Sequence, residues 1–173
     1  DNQSNSFEVI PTGSGPEDMV LDTLNPFPRL LISATSRRPE MQEYGEIEEL
    51  NLMTKQIRVL PRRNEPSDLE FHPHGICLVQ IGSKSYLYAI THYRASNQHP
   101  VIRYRVYENE LIFERIYEDC KLVSPNALTV FENGSFLVCN DASSHGNKLD
   151  QILGLKRGNI VFFDLDGQSQ ILT

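Results

Sequence analysis

His72-Pro-His-Gly-Ile-Cys-Leu-Val-Gln-Ile-Gly-Ser-Lys-Ser-Tyr-Leu-Tyr-Ala-Ile-Thr-His92 is two apolar runs around one turn, Gly82-Ser83-Lys84. Such a pattern predicts a β-hairpin, with strands over Ile76–Ile81 and Tyr86–Thr91. Residues equidistant from a hairpin's centre face each other. With the centre near Ser83, His74 lies opposite His92, so two imidazoles meet at the hairpin's open end.

Working outward, the same arrangement occurs twice more. On the N-terminal side, Met19–Leu21 and Arg29–Ala34 flank Asn25-Pro26. On the C-terminal side, Leu128–Phe131 and Ser135–Asn140 flank Asn133-Gly134. A first hairpin centred near Pro26 and Phe27 sets Glu17 and Asp18 opposite Ser36 and Thr35. A third, centred between Asn133 and Gly134, sets Asn126 opposite Asp141. Each hairpin is followed by two further strands: Ile47–Asn51 and Ile57–Pro61, Val101–Tyr107 and Leu111–Tyr117, Asn159–Asp164 and Gln168–Leu172. The repeat of roughly 50–57 residues is that of a β-propeller blade. The fold class is therefore all-β: about three four-stranded antiparallel blades of a β-propeller, approximately 13-65, 66-120 and 121-173, behind a polar leader over 1-12. A single antiparallel sandwich is the competing architecture. Propellers close with about 4–8 blades, so remaining blades or a second chain are needed to close the ring. An open stack of three would leave two large apolar faces in water.

In a propeller the open ends of the innermost hairpins gather at the central channel. Glu17, Asp18, His74, His92, Asn126 and Asp141 would then converge although they are far apart in sequence. Glu17, Asp18, Asn126 and Asp141 offer the carboxylate and amide oxygens that calcium takes, and not the His/Cys set of zinc. The histidine pair suits general-base work, one ring taking a proton while the other orients it. Each residue also has a plain structural role open to it: Asn126 as a turn residue after Pro125, His92 as a capped strand end.

The net charge of -7 argues against nucleic acid or an anionic membrane as partner. No run of residues reaches the length of a membrane-spanning helix. The three cysteines, Cys77, Cys120 and Cys139, lack metal-type spacing. Cys77 and Cys139 stand inside apolar runs and are expected as buried free thiols.

These residues resemble a family. His72-Pro-His-Gly-Ile76 is similar to the Asn-Pro-His-Gly-Ile motif of the paraoxonase/arylesterase family. Gly15-Pro-Glu-Asp18 is similar to its Gly-Ser-Glu-Asp motif. Ser124-Pro-Asn126 with Cys139-Asn-Asp141 is similar to its Asn-Asp and Thr-Asn-Asp pair. The likeness is co-linear from Gly15 to the C-terminus, and the senescence-marker-protein/gluconolactonase enzymes share the architecture. It implies the N-terminal half of a six-bladed propeller that hydrolyses lactones or aryl esters with Ca2+. Glu17 and Asn126 would bind the catalytic calcium, Asp18 and the carbonyl of Ile76 a structural one, and His74 and His92 would form the catalytic dyad. The substrate implied is a small-molecule ester or lactone. The sequence leaves the compartment undecided, with secreted or periplasmic favoured. Three departures stand out. Ala127 replaces an acidic residue, Arg38 stands where the family carries an active-site tyrosine, and the family's N-terminal hydrophobic helix has no counterpart. Leu149, Ile152, Leu153 and Leu155, at near-helical spacing within Ser143–Gly158, fall where the family has a lid helix; a short amphipathic helix capping the core is the equal alternative. A non-catalytic propeller that binds a partner on its loop face, or a strictosidine-synthase-like protein of the same fold, is the alternative to the enzyme.

Overall fold

The computed structural model describes residues 8–36, 44–142 and 158–172. Among them there is no helix, and none therefore that is long and apolar enough to cross a membrane. Arg38 and residues 143–157, which include the expected lid helix, lie outside the described residues.

Among the described residues thirteen strands form three sheets. The first runs in chain order through β1 (Pro16–Asp22), β2 (Arg29–Ala34), β3 (Glu46–Asn51) and β4 (Ile57–Val59). The second holds β6 (Pro73–Ile81), β7 (Lys84–Thr91), β8 (Val101–Val106) and β9 (Leu111–Tyr117). The third holds β10 (Pro125–Val130), β11 (Phe136–Asn140), β12 (Asn159–Phe163) and β13 (Ser169–Leu172). All neighbours within these sets are antiparallel.

A short fifth strand departs from the expected plan of three four-stranded sheets. β5 (Arg62–Arg63) pairs parallel with β9 and so belongs to the second sheet. The chain changes sheets at Leu60-Pro61. Leu60 N–H still donates to Ile47 O in the first sheet, at 2.9 Å, while Pro61 O accepts from Leu111 N–H in the second, also at 2.9 Å. Proline has no N–H to lose, so the crossing leaves no donor stranded at that residue.

Period-2 alternation explains how the sheets stack. On β7, Leu87 and Ala89 enter one buried cluster, with Leu31 and Ile47 of the first sheet. Tyr88 and Ile90 enter the other, with Phe136, Val138, Val161 and Phe163 of the third. The middle sheet is therefore covered on both faces, which is why β7 reads as continuously apolar. The second cluster is aromatic: Phe136 stacks on Phe163 at 4.6 Å between centroids and meets Tyr117 edge-on at 4.9 Å. At the turn end, buried Arg29 bonds Asp22 at 2.8 Å, Glu49, and the carbonyl of Glu108 at 2.7 Å, fastening the first sheet to the second.

Alternation also corrects the expectation for Cys139. Phe136, Val138 and Asn140 of β11 face inward, so Leu137 and Cys139 face outward, and Cys139 is exposed. Cys77 is half-buried, and burial pushes its thiol pKa up. No disulfide forms among the three cysteines.

Candidate functional site

Strands β1, β6 and β10 lie side by side, β6 between the other two. Each is an edge strand of its sheet, and each carries a register shift near its start. The shifts fall between Pro16 and Asp18, between Pro73 and Ile76, and between Pro125 and Ala127. Each begins on a proline, and the residue after it is Glu17, His74 or Asn126. Proline within sheets is confined largely to strand starts, edges and bulges, because it cannot donate to the ladder. A bulge frees the next residue from pairing and re-aims its side chain.

These bulges, together with turn centres that lie up to one residue earlier than counted, change the cross-strand partners predicted by simple symmetry. The ladder of the second hairpin pairs Ile81 with Lys84 and Ile76 with Ala89, which puts its centre between Gly82 and Ser83. Pro73 then faces Thr91, and His92 N–H donates to His72 O at 3.2 Å. His74 thus sits within the bulge and not opposite His92. In the first hairpin Asp18 faces Ser33, not Thr35. In the third, Asp141 N–H donates to Ser124 O at 2.9 Å, and Asn126 lies in the bulge.

The side chains nevertheless meet across the elements. His74 and His92 are T-shaped, with centroids 5.3 Å apart. His74 Nε2 is 3.5 Å from Oε2 of Glu17, whose side chain is only 4% exposed. Burial lowers the pKa of His92 from 6.5 to about 4, helped by the positive charges that His99 and His74 can carry, while Glu17 and Asp141 act in the opposite sense. These four groups thus sit within electrostatic reach of one ring.

Two hydrogen-bonded contacts stitch β1 to β6 at this point. The buried Ser33 hydroxyl donates to His74 O at 2.6 Å and accepts from Asp18 N–H at 3.1 Å. Asp18 Oδ2 accepts from Ile76 N–H at 2.9 Å, so those two residues are adjacent, and Asp18 Oδ1 accepts from Met19 N–H at 2.8 Å. β10 approaches β6 backbone to backbone. A Cβ on Gly75 would lie 2.4 Å from Asn126 O, so a glycine is required there. The Asn126 and Asp141 residues are exposed, and the Asp141 carboxylate accepts from the Ser124 hydroxyl.

Some of the local machinery was not singled out from sequence. Asn140, buried beside the candidate Asp141, uses its whole amide internally. Its Oδ1 accepts from Val123 and Ser124 N–H, both at 3.1 Å, and its Nδ2 donates to Lys121 O at 2.7 Å and Asn159 Oδ1 at 2.8 Å. It clamps the mouth of the third hairpin. His99 joins the histidine pair, and Ser33 holds two of the bulges together. The prolines before Glu17, His74 and Asn126 are the signal by which the bulges are readable.

Among the described residues no three His, Cys, Asp or Glu side chains converge as a metal cluster. A cation at these strand ends would draw also on the Asn126 amide, backbone carbonyls and water, the mixed oxygen set that suits calcium. No protein-family model matches the chain, and no curated protein matches it either.

Proposed function

We propose that the chain is part of a β-propeller hydrolase that cleaves lactones or aryl esters with the help of calcium, as its resemblance to the paraoxonase/arylesterase family implies. One observation carries this reading. Three successive sheets present a Pro-X bulge at the same end of their innermost strands, and the residues X are Glu17, His74 and Asn126. Repetition of one backbone device around neighbouring strands is what a shared axial site requires. A set of unrelated turns would have no reason to place it at equivalent positions.

The donor chemistry fits a hard cation. Glu17 and Asn126 would hold the catalytic ion, with Asp141 beside them, and Asp18 with the Ile76 carbonyl a second ion. When bound, calcium would polarise a substrate carbonyl and stabilise the negative charge that develops on its oxygen. The protein's own part falls to the histidines. His74, with Nε2 3.5 Å from the buried Glu17 carboxylate, is the ring placed to take a proton from water. His92 stays neutral at physiological pH and orients its neighbour.

The test is hydrolysis of a lactone and an aryl ester by the intact protein, with calcium and with chelator. Activity is expected only with calcium, and Asn126→Ala is expected to abolish it. Chelator-resistant turnover, or undiminished activity in Asn126→Ala, would reject the calcium mechanism. Absence of turnover in every condition would favour a binding scaffold built on the same sheets.

A further inference from the structure

The histidine pair is extended by a third ring. His99 places its Nδ1 2.8 Å from Nδ1 of His92, with centroids 4.8 Å apart and planes at 73°. Two neutral imidazoles at this separation share one proton: one nitrogen donates and the other accepts, since two lone pairs or two N–H groups would repel. The contact therefore sets the tautomer of both rings.

The loop between β7 and β8 is built to hold this contact. Thr91 N–H donates to Pro100 O at 2.9 Å, Tyr93 N–H to Gln98 O at 2.8 Å, and Asn97 N–H to Tyr93 O at 3.0 Å. Asn97 takes φ of 55°, which tightens the reversal and returns His99 to the side of His92. Beyond it, His99 forms part of the wall of a cleft of about 410 Å³ shared with Glu118, Asp119 and Cys120.

We propose that His99 is a positioning residue that accepts the Nδ1–H of His92 and so leaves Nε2 as the one lone pair of His92. The direction of that hydrogen bond and its catalytic consequence rest on the hydrolase reading above; the contact between the two nitrogens does not. A free neutral histidine side chain prefers its proton on Nε2. In that form His92 would offer an N–H where the dyad needs an acceptor for a proton from water or from His74. Because burial keeps His92 neutral, its tautomer, and not its charge, decides what it can do. No proton is gained or lost in this arrangement; it is only moved from Nε2 to Nδ1 of the same ring.

Long-range ¹H–¹⁵N correlation spectra of the intact protein read the tautomer directly. His92 is expected as Nδ1–H in the wild type and as Nε2–H in His99→Leu. His99→Asn provides the control, since a carboxamide oxygen occupies much the same place as Nδ1 and can accept the same proton; there Nδ1–H is expected to persist. Nε2–H on His92 in the wild type, or a tautomer unmoved by His99→Leu, would overturn the proposal. In the lactone assay His99→Leu is expected to lower kcat about tenfold or more with KM little changed, and His99→Asn to restore most of it. Unchanged kcat with a switched tautomer would overturn the catalytic consequence. No hydrolysis by the wild type would instead count against the hydrolase reading, and the spectra would still decide the tautomer.

Discussion

Two side chains set the terms at the candidate site. Ser33 serves a carbonyl on one sheet and an amide on another, through a single hydroxyl with no exposure. Ser33→Ala leaves buried polar groups of both strands without that partner, a loss of about 1–3 kcal/mol. The expected result is a lower denaturant midpoint than in Ser85→Ala, a change at the far end of the neighbouring hairpin. Equal midpoints would show that the hydroxyl does not link the sheets. His92 makes a separate prediction. Its pKa falls from 6.5 to about 4 on folding, so between those values the unfolded chain binds the extra proton and the folded one does not. This contribution is therefore full above pH about 6.5 and is lost progressively as pH falls from about 6.5 to about 4, by roughly 3 kcal/mol. The groups around the ring are His99 and His74, which deepen the effect when protonated, and Glu17 and Asp141, which oppose it. Urea titrations at several pH values are expected to show this slope in the wild type and a shallower one in His92→Gln. Parallel slopes would remove His92 as the cause.

At the scale of strands, the hairpins were legible because their apolar alternation and turn residues agree, and every predicted strand has a counterpart. The pairing was legible only approximately. Counting from a turn assumes an uninterrupted ladder, and Pro16, Pro73 and Pro125 interrupt it where the candidate residues begin. His74 was expected opposite His92 by symmetry; the two rings meet, but through a bulge that turns His74 across the ladder. His99 was not readable as a partner, because a loop reversal, unlike a strand, leaves no periodicity. Nor was β5, two residues long and held by a parallel pair to a strand nearly fifty positions away. Gly75 supplies the test at this scale. Gly75→Ala drives a methyl into the Asn126 carbonyl, where neither backbone has room to move without separating β6 from β10. Gly82→Ala meets nothing within 4 Å and carries only the strain of φ +62°, about 1 kcal/mol. Gly75→Ala is expected to cost clearly more in thermal or denaturant unfolding and, under the proposed function, to weaken calcium binding measured by calorimetry where Gly82→Ala does not. The reverse order would mean that the β6–β10 approach is unimportant.

Across the whole molecule, two sheet faces remain uncovered. Met19 and Leu21 on the outer side of the first sheet are 59% and 53% exposed, and Ile160 and Leu172 on the outer side of the third are 39% and 43% exposed. The two inner interfaces, by contrast, bury tyrosine, phenylalanine and leucine almost completely. Under the propeller reading, further blades or another copy would cover the outer faces, and their sequence alternation already anticipates a covering. Cys139 belongs to the outer face of the third sheet, in register with Ile160 and Leu172. It is consequently a built-in chemical clock for that contact. A maleimide should alkylate Cys139 quickly in a chain whose third sheet is open and slowly once a neighbouring sheet seals it. Cys120, in the loop before β10, should react at one rate in both states, and half-buried Cys77 more slowly than either exposed thiol in the open state. Peptide mass mapping of the three rates would therefore time the closure of the face without any substrate, ion or assay of turnover.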